Sequence, residues 1–229
     1  TYDNKNAGTA KTVTATGLSI GGASNGSATV YGYSLGNSSS ASAAIGTITK
    51  ADLALTGLTA RDKTYDGSAT ATLTGTAAIA AFSGDSVTLD GAAAGAFADK
   101  NAGAGKSVSV TGNTLGGADA GNYKLVQPSG LTANIERATL TVSGATAAGK
   151  TYDGTTAATL TGASLSGVVS GDTLSLGQNA SFADKNAGTA KRVNANFALG
   201  GTDAANYVLA SSTVTTTADI SAAVLTVSG

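Results

Sequence analysis

The chain has 229 residues and a net charge of −1, with no Cys, His, Met or Trp. Disulfides and thiolate metal ligands are thereby excluded, as is the imidazole that most often serves as general base or metal ligand. The balanced charge leaves no basic footprint for nucleic acid, and no apolar run is long enough to insert in a membrane. No signal peptide is recognisable, and the lack even of an initiator Met reads as an internal slice of a longer polypeptide.

Residues 1–52 read as an incomplete first repeat, with an insertion near 26–37. It opens on Asn4-Lys5-Asn6-Ala7-Gly8, a phrase that returns as Asp99-Lys100-Asn101-Ala102-Gly103 and as Asp184-Lys185-Asn186-Ala187-Gly188. The half that should precede this phrase is missing. We expect it ahead of Thr1 in a longer chain, or supplied by a neighbour in a fibre; otherwise strand edges stay bare.

Residues 53–137 form the second repeat, complete at about 85 residues, and 138–222 the third, also complete. Each carries the same signals in the same order. First comes Lys63-Thr64-Tyr65-Asp66-Gly67, recurring as Lys150-Thr151-Tyr152-Asp153-Gly154, which reads as a turn. Alternating strands follow at Val87 and Leu89, and at Leu174 and Leu176. After the Asp-Lys-Asn-Ala-Gly loop come Val108 and Val110, matched by Val193, Ala195, Phe197 and Leu199. Next stand Asp119-Ala120-Gly121-Asn122-Tyr123 and Asp203-Ala204-Ala205-Asn206-Tyr207. No window carries a helical stripe, so the chain is predicted to be all-β. Residues 223–229 read as the opening strand of a further repeat.

The Asp-x-(Gly/Ala)-x-Tyr signal resembles the tyrosine corner of immunoglobulin-like sandwiches, where the hydroxyl bonds back to the backbone. The expected architecture is therefore a rod of tandem immunoglobulin-like β-sandwich modules, with β-grasp-like modules as the alternative. In one core we expect Val87, Leu89, Phe97, Val108, Val110, Tyr123 and Leu125, matched by Leu174, Leu176, Phe182, Val193, Ala195, Tyr207 and Leu209. At the junctions, Ile48, Ile135 and Ile220 are each followed five positions later by Leu53, Leu140 and Leu225. So short a connection cannot be a flexible tether, and it sets a defined angle between modules.

No catalytic residue is expected. Ser and Thr lack an activating base, and Gly144-Ala145-Thr146-Ala147-Ala148-Gly149-Lys150-Thr151 has the letters of a phosphate loop without the helix that such a loop needs. No cofactor is expected. Asp85, Asp172, Asp119 and Asp203 are the candidates for calcium, but turn chemistry explains them better, as it does Asp66, Asp153, Asp99 and Asp184. Lys100 and Lys185 read as solvated or as bridging a turn with the neighbouring Asp. Asn25, Asn37 and Asn179 head glycosylation sequons that chance also explains.

Together, Lys-Thr-Tyr-Asp-Gly, Phe-Ala-Asp-Lys-Asn-Ala-Gly and Gly-Ala-Asp-Ala-Gly-Asn-Tyr resemble the tandem YDG/MBG-type repeats of filamentous-haemagglutinin-like adhesins secreted by Gram-negative bacteria. The first repeat departs from this pattern, with Tyr31-Gly32-Tyr33 in place of the corner. The resemblance implies an extracellular or cell-surface, β-rich stalk, exported through an outer-membrane pore, with roles in adhesion or biofilm. Its expected partners are adjacent modules of the same chain, then neighbouring copies in a fibre or surface glycans. The expected function is a non-enzymatic stalk segment that spaces a binding region from the cell. The alternative is a repeated module that itself binds glycans or neighbouring chains.

Overall fold

A computed structural model of the chain describes residues 1–22, 24–29, 32, 34–36 and 39–227. Almost all of the regular structure is β. Among the described residues the exceptions are two single 3-10 turns, Ala120–Asn122 and Ala204–Asn206, each leading directly into a strand. Gly144–Thr151 ends in the short strand Lys150–Thr151, so the phosphate-loop letters indeed lead into no helix. Tyr31, Tyr33 and Asn37 lie outside the described residues, while Asn179 is exposed on the strand Ser175–Phe182.

The chain folds as two compact units, and neither is a single repeat. Unit 1 comprises Thr1–Leu58, Gly75–Ala93 and Val110–Ser129; unit 2 comprises Thr59–Thr74, Ala94–Ser109 and Gly130–Gly229. The division falls inside the second repeat. Among the described residues unit 1 holds four strand pairs, the shortest joining Ser24–Asn25 to Ala28–Thr29. Gly8–Thr16 runs antiparallel to Ser40–Ile48, and Thr88–Asp90 antiparallel to Thr114–Gly116. Ala51–Ala54 runs parallel to Tyr123–Val126.

Unit 2 holds a five-stranded sheet in the order Lys63–Thr64, Thr132–Glu136, Gly103–Thr111, Ala94–Phe97, Thr70–Ala71. A four-stranded sheet follows the order Lys150–Thr151, Thr213–Ser221, Gly188–Gly200, Ser175–Phe182. Ala138–Ser143 bridges Ser164–Ser166 and Tyr207–Leu209 in a third sheet.

The expectation of one core per repeat is not met. Phe97 and Val108 of the second repeat pack with Tyr207 of the third, and Leu174 and Leu209 lie against that cluster. Phe182, Val193 and Ala195 belong to another cluster, with Leu176 at its edge. Val110 and Tyr123 are buried in unit 1, whereas Val87, Leu89 and Leu125 are only half-buried. The physical reason is leanness. With only 7 Tyr and 4 Phe in the chain, one repeat cannot fill a core, so halves of successive repeats fill one together.

The strands show how the second repeat is divided. In the third repeat, Ser175–Phe182 pairs with Gly188–Gly200 without interruption, from Ser175 opposite Gly200 to Phe182 opposite Val193. In the second repeat the corresponding strands break at Gly91 and Gly112, which have φ of 76° and 91°. There the backbones approach so closely that a Cβ on Gly91 would lie 2.3 Å from the Gly112 carbonyl oxygen. Only glycine accepts that approach and that conformation.

Past Ser221 no strand forms among residues 222–227, and Leu225 is 91% exposed. Its counterparts Leu53 and Leu140 lie on strands that pair with Leu125 and Leu209.

Candidate functional site

The residues that recur in every repeat converge on joints where one repeat is fastened to the next. The loop half of each joint is built by local turn chemistry. Asp99 accepts the Asn101 N–H at 2.7 Å and the Lys106 ammonium at 2.7 Å. Asp184 takes the Asn186 N–H at 2.9 Å and is paired with Lys191 in the same way. In the first repeat Asn4 replaces the Asp, accepting the Asn6 N–H at 3.1 Å. These clips hold each loop so that its Lys, Asn and Ala face outward. Lys100, read from the sequence as solvated or as bridging the turn with Asp99, does not bridge that turn: Lys106 takes Asp99, and Lys100 reaches Asp172 of the following repeat.

A second clip shapes the Tyr-Asp-Gly turn. Asp66 accepts the Ser68 N–H at 2.8 Å, and Lys63 reaches both Asp66 and the Ser68 carbonyl at 2.7 Å. Lys150, Asp153 and Thr155 repeat this geometry. Lys150 and the Thr155 N–H together hold the Asp153 carboxyl down to about 2. The turns need Gly67 and Gly154, at φ of 79° and 78°.

In unit 2 the halves meet. The Asn206 side chain accepts the Ala102 N–H at 2.9 Å and donates to the Asn101 side chain at 3.4 Å. The Tyr207 hydroxyl accepts the Val169 N–H at 3.0 Å and donates to Asp172 at 2.6 Å. It does bond back to the backbone, as the corner signal suggested, but to a loop 38 residues earlier. Tyr65 donates to the same Asp172 oxygen at 2.7 Å, and its ring meets Tyr207 edge-on at 5.4 Å. Lys100 completes the site, 3.1 Å from the other Asp172 oxygen and 3.9 Å from Asp203.

The Asp172 side chain is only 2% exposed, so its charge persists because donors surround it. The Tyr207 hydroxyl, then Tyr65 and Lys100, hold its carboxyl below the usual range against the effect of burial. Burial, then the facing carboxylate, pushes the Tyr207 phenol up to about 12. Burial likewise leads in raising Tyr65, and Asp172 leads in raising Lys100.

Unit 1 repeats the arrangement with one piece fewer. Lys5 pairs with Asp85, and with Asp119 at 3.1 Å. Asn122 accepts the Ala7 N–H at 2.8 Å and donates to Asn6 at 3.2 Å. Tyr123 donates to Asp85 at 2.7 Å and accepts the Phe82 N–H at 3.1 Å. The remaining loop residues, Lys185, Asn186 and Ala187, are exposed. Asn186 and Ala187 line a hollow with Tyr152, which is itself 38% exposed.

The Asp pairs weighed as calcium ligands therefore each converge on a lysine ammonium. Among the described residues, no group of three or more His, Cys, Asp or Glu side chains comes together. Sequence reasoning placed the corner, the loop and the Tyr-Asp-Gly turn, but missed that they join one repeat to another. Its one usable signal was complementarity, since Lys in the loop and Asp at the corner recur together in both complete repeats. Residues 49–130 and 136–227 each match the YDG domain. No curated protein matches the chain, and neither does any solved structure. Two tandem matches that cover most of the sequence place the chain in the YDG domain family.

Proposed function

We propose that the chain is a non-enzymatic structural segment of a large extracellular bacterial adhesin or surface fibre, a stalk that spaces a binding region from the cell. One observation carries this reading. The polar residues that recur from repeat to repeat, which in a binding array would face a ligand, are spent on fastening neighbours: Lys100 on Asp172, Asn101 on Asn206, Tyr65 on Asp172. A joint of mutually satisfied groups around a buried carboxylate and two buried tyrosines resists bending better than a solvated linker. The resemblance to secreted adhesins supplies the extracellular setting and the bacterial surface.

The test is an array series in which residues 138–221 are inserted in one, two and three further tandem copies. A stalk gives a maximum dimension in solution scattering that grows by a constant step per copy, and adhesion to cells or glycan surfaces that stays flat. If the repeats themselves carry the binding, adhesion climbs steeply with copy number through multivalency. That outcome would overturn the stalk in favour of a repeated adhesive module.

A further inference from the structure

In the third repeat the strand Ser175–Phe182 stands at the edge of its four-stranded sheet, paired with Gly188–Gly200 from end to end without a register shift. Its outer side is covered at one end only. There the Phe182 N–H donates to the Thr156 carbonyl at 2.8 Å, and the Ala180 carbonyl accepts the Ala158 N–H at 3.2 Å. The covering segment then turns away, because Leu160–Thr161 pairs with Thr146–Ala147 instead. A hollow of about 290 Å³, walled by Ala158, Leu160, Gln178 and Ala180, opens where the two part. Since Phe182 and Ala180 bond outward, alternation turns the backbone N–H and C=O of Gln178 and Leu176 outward too. Among the described residues no strand meets them.

Proteins blunt exposed edges with charge, proline or a bulge. Ser175–Phe182 carries none of these. The second repeat does blunt its edge. The corresponding strand, Thr88–Asp90, ends on an exposed Asp90 at the place of Gly177, and the chain breaks off at Gly91. That strand also pairs on one side only among the described residues, with Thr114–Gly116, although another repeat follows it. An open edge here therefore belongs to the repeat itself rather than to its place in the array.

We propose that Ser175–Asn179 is a pairing surface for the same strand of a second copy of the chain, running antiparallel about a two-fold axis through Gly177. The strand is its own match. With Gly177 opposite Gly177, Leu176 stands opposite Gln178 of the second copy, and both turn their backbone groups outward. The Leu176 N–H then donates to the Gln178 carbonyl of the second copy and its carbonyl accepts in return, on both sides of the axis. Ser175 and Asn179, both exposed, face each other as a polar cross-strand pair. Gly177 lacks a Cβ, which lets the two backbones approach at the axis. No charge lies in the strip, so two copies meet without repulsion, whereas in the second repeat Asp90 would face Asp90. The contact is smaller than the roughly 1,200–2,000 Å² of a stable dimer, so it is weak between single chains and gains strength where chains lie side by side. This inference does not rest on the stalk reading, and its test measures self-association rather than adhesion or length.

The test is amide hydrogen exchange on the full 229-residue chain at micromolar and at millimolar concentration. At the higher concentration exchange at Leu176 and Gln178 should slow at least about threefold as mass action fills the dimer, with Ile45 and Lys63 unmoved. Gln178 is exposed, so Gln178→Lys and Gln178→Glu should leave the protection of Val193 and Ala195 intact. Each variant alone should lose the concentration dependence, because its like charges meet diagonally across the axis. An equal mixture of the two should recover it, an outcome that misfolding cannot produce. Exchange indifferent to concentration, slowing centred on another strand, or a mixture that stays unpaired would each overturn the proposal.

Discussion

The joint of unit 2 is made of three pieces and that of unit 1 of two. Both contain a lysine–asparagine loop and an aspartate–asparagine–tyrosine corner, with nearly the same hydrogen bonds. Only unit 2 has the tyrosine strand, and the consequences reach the side chains around it. Val169 is partly buried against the Tyr65 cluster, while Phe82 at the corresponding place is 70% exposed, although its backbone makes the same bond. The polar contacts therefore set the register of a joint, and the aromatic ring closes it. Hydrogen bonds partly solvated at an interface yield little net free energy, whereas burying a ring yields several kcal/mol.

The largest expected effect comes from making unit 2 resemble unit 1. Tyr65→Ala removes a ring that is 3% exposed, and by analogy with other aromatic truncations in cores it should cost about 3–5 kcal/mol. The loss should be local, because unit 1 contains none of the atoms removed. Native-state hydrogen exchange separates the two: protection should fall at Glu136 and Tyr207 and hold at Leu125. Equal loss in both units would mean that the ring is not what distinguishes them. Tyr65→Phe keeps the packing and removes only the bond to Asp172, so a smaller loss of about 1.5 kcal/mol is expected, the low end for a bond to a charged acceptor.

Asp172 is the next point of contrast. Asp172→Asn leaves two phenols and an ammonium facing a neutral amide, at a cost of about 1.5–3 kcal/mol. Asp85→Asn should cost less, because Asp85 lacks the third donor. The same difference appears against pH. The folded-state carboxyl of Asp172 lies below its ordinary value, so its contribution is complete above about pH 4 and is lost as pH falls through the folded value. Urea midpoints measured from pH 6 to pH 2 should fall across that window, and Asp172→Asn should flatten the fall. An unchanged pH profile in the variant would show that the carboxylate is not the linked group.

Much of this was legible in the sequence, and the limit of legibility has a physical cause. Alternation at Val193, Ala195 and Phe197 marked a half-buried strand, and all three side chains are buried. Asp66 and Asp99 were recognisable as turn formers because their partners lie within seven residues along the chain. The reading of Lys100 as solvated or turn-bridging missed its bond to Asp172, because Asp172 is 72 residues away and only the adjacent Asp99 stands beside Lys100 in sequence. The single core per repeat failed for a related reason. A repeat in sequence marks what is duplicated, whereas packing follows whichever surfaces meet, and here Phe97 meets the Tyr207 of the next copy. Neither the Gly91–Gly112 break nor its absence from the third repeat follows from hydrophobic pattern, because both depend on backbone contact.

The smallest effect compares two residues in one backbone conformation. Each Asn-Ala-Gly loop leads into a bulge, with register shifts between Gly103 and Lys106 and between Gly188 and Lys191. Inside the bulge Gly105 has φ of 59° and Ala190 of 49°, both left-handed. Each donates its N–H to the last strand, Gly105 to Asn134 at 2.8 Å and Ala190 to Asp219 at 2.7 Å. The conformation is thus imposed by the same bond in both, and only Ala190 carries a Cβ into it. Left-handed strain of about 1–2 kcal/mol is partly offset because glycine loses more chain entropy on folding, about 0.4–1 kcal/mol. Ala190→Gly should therefore stabilise unit 2 by about 0.5–1 kcal/mol, and Gly105→Ala should destabilise it by a similar amount. Urea denaturation of the two single variants and the double variant tests this, with the double expected near the parent. If Ala190→Gly were destabilising, the bulge would not be strained, and the Asp219 contact would be following the backbone rather than holding it.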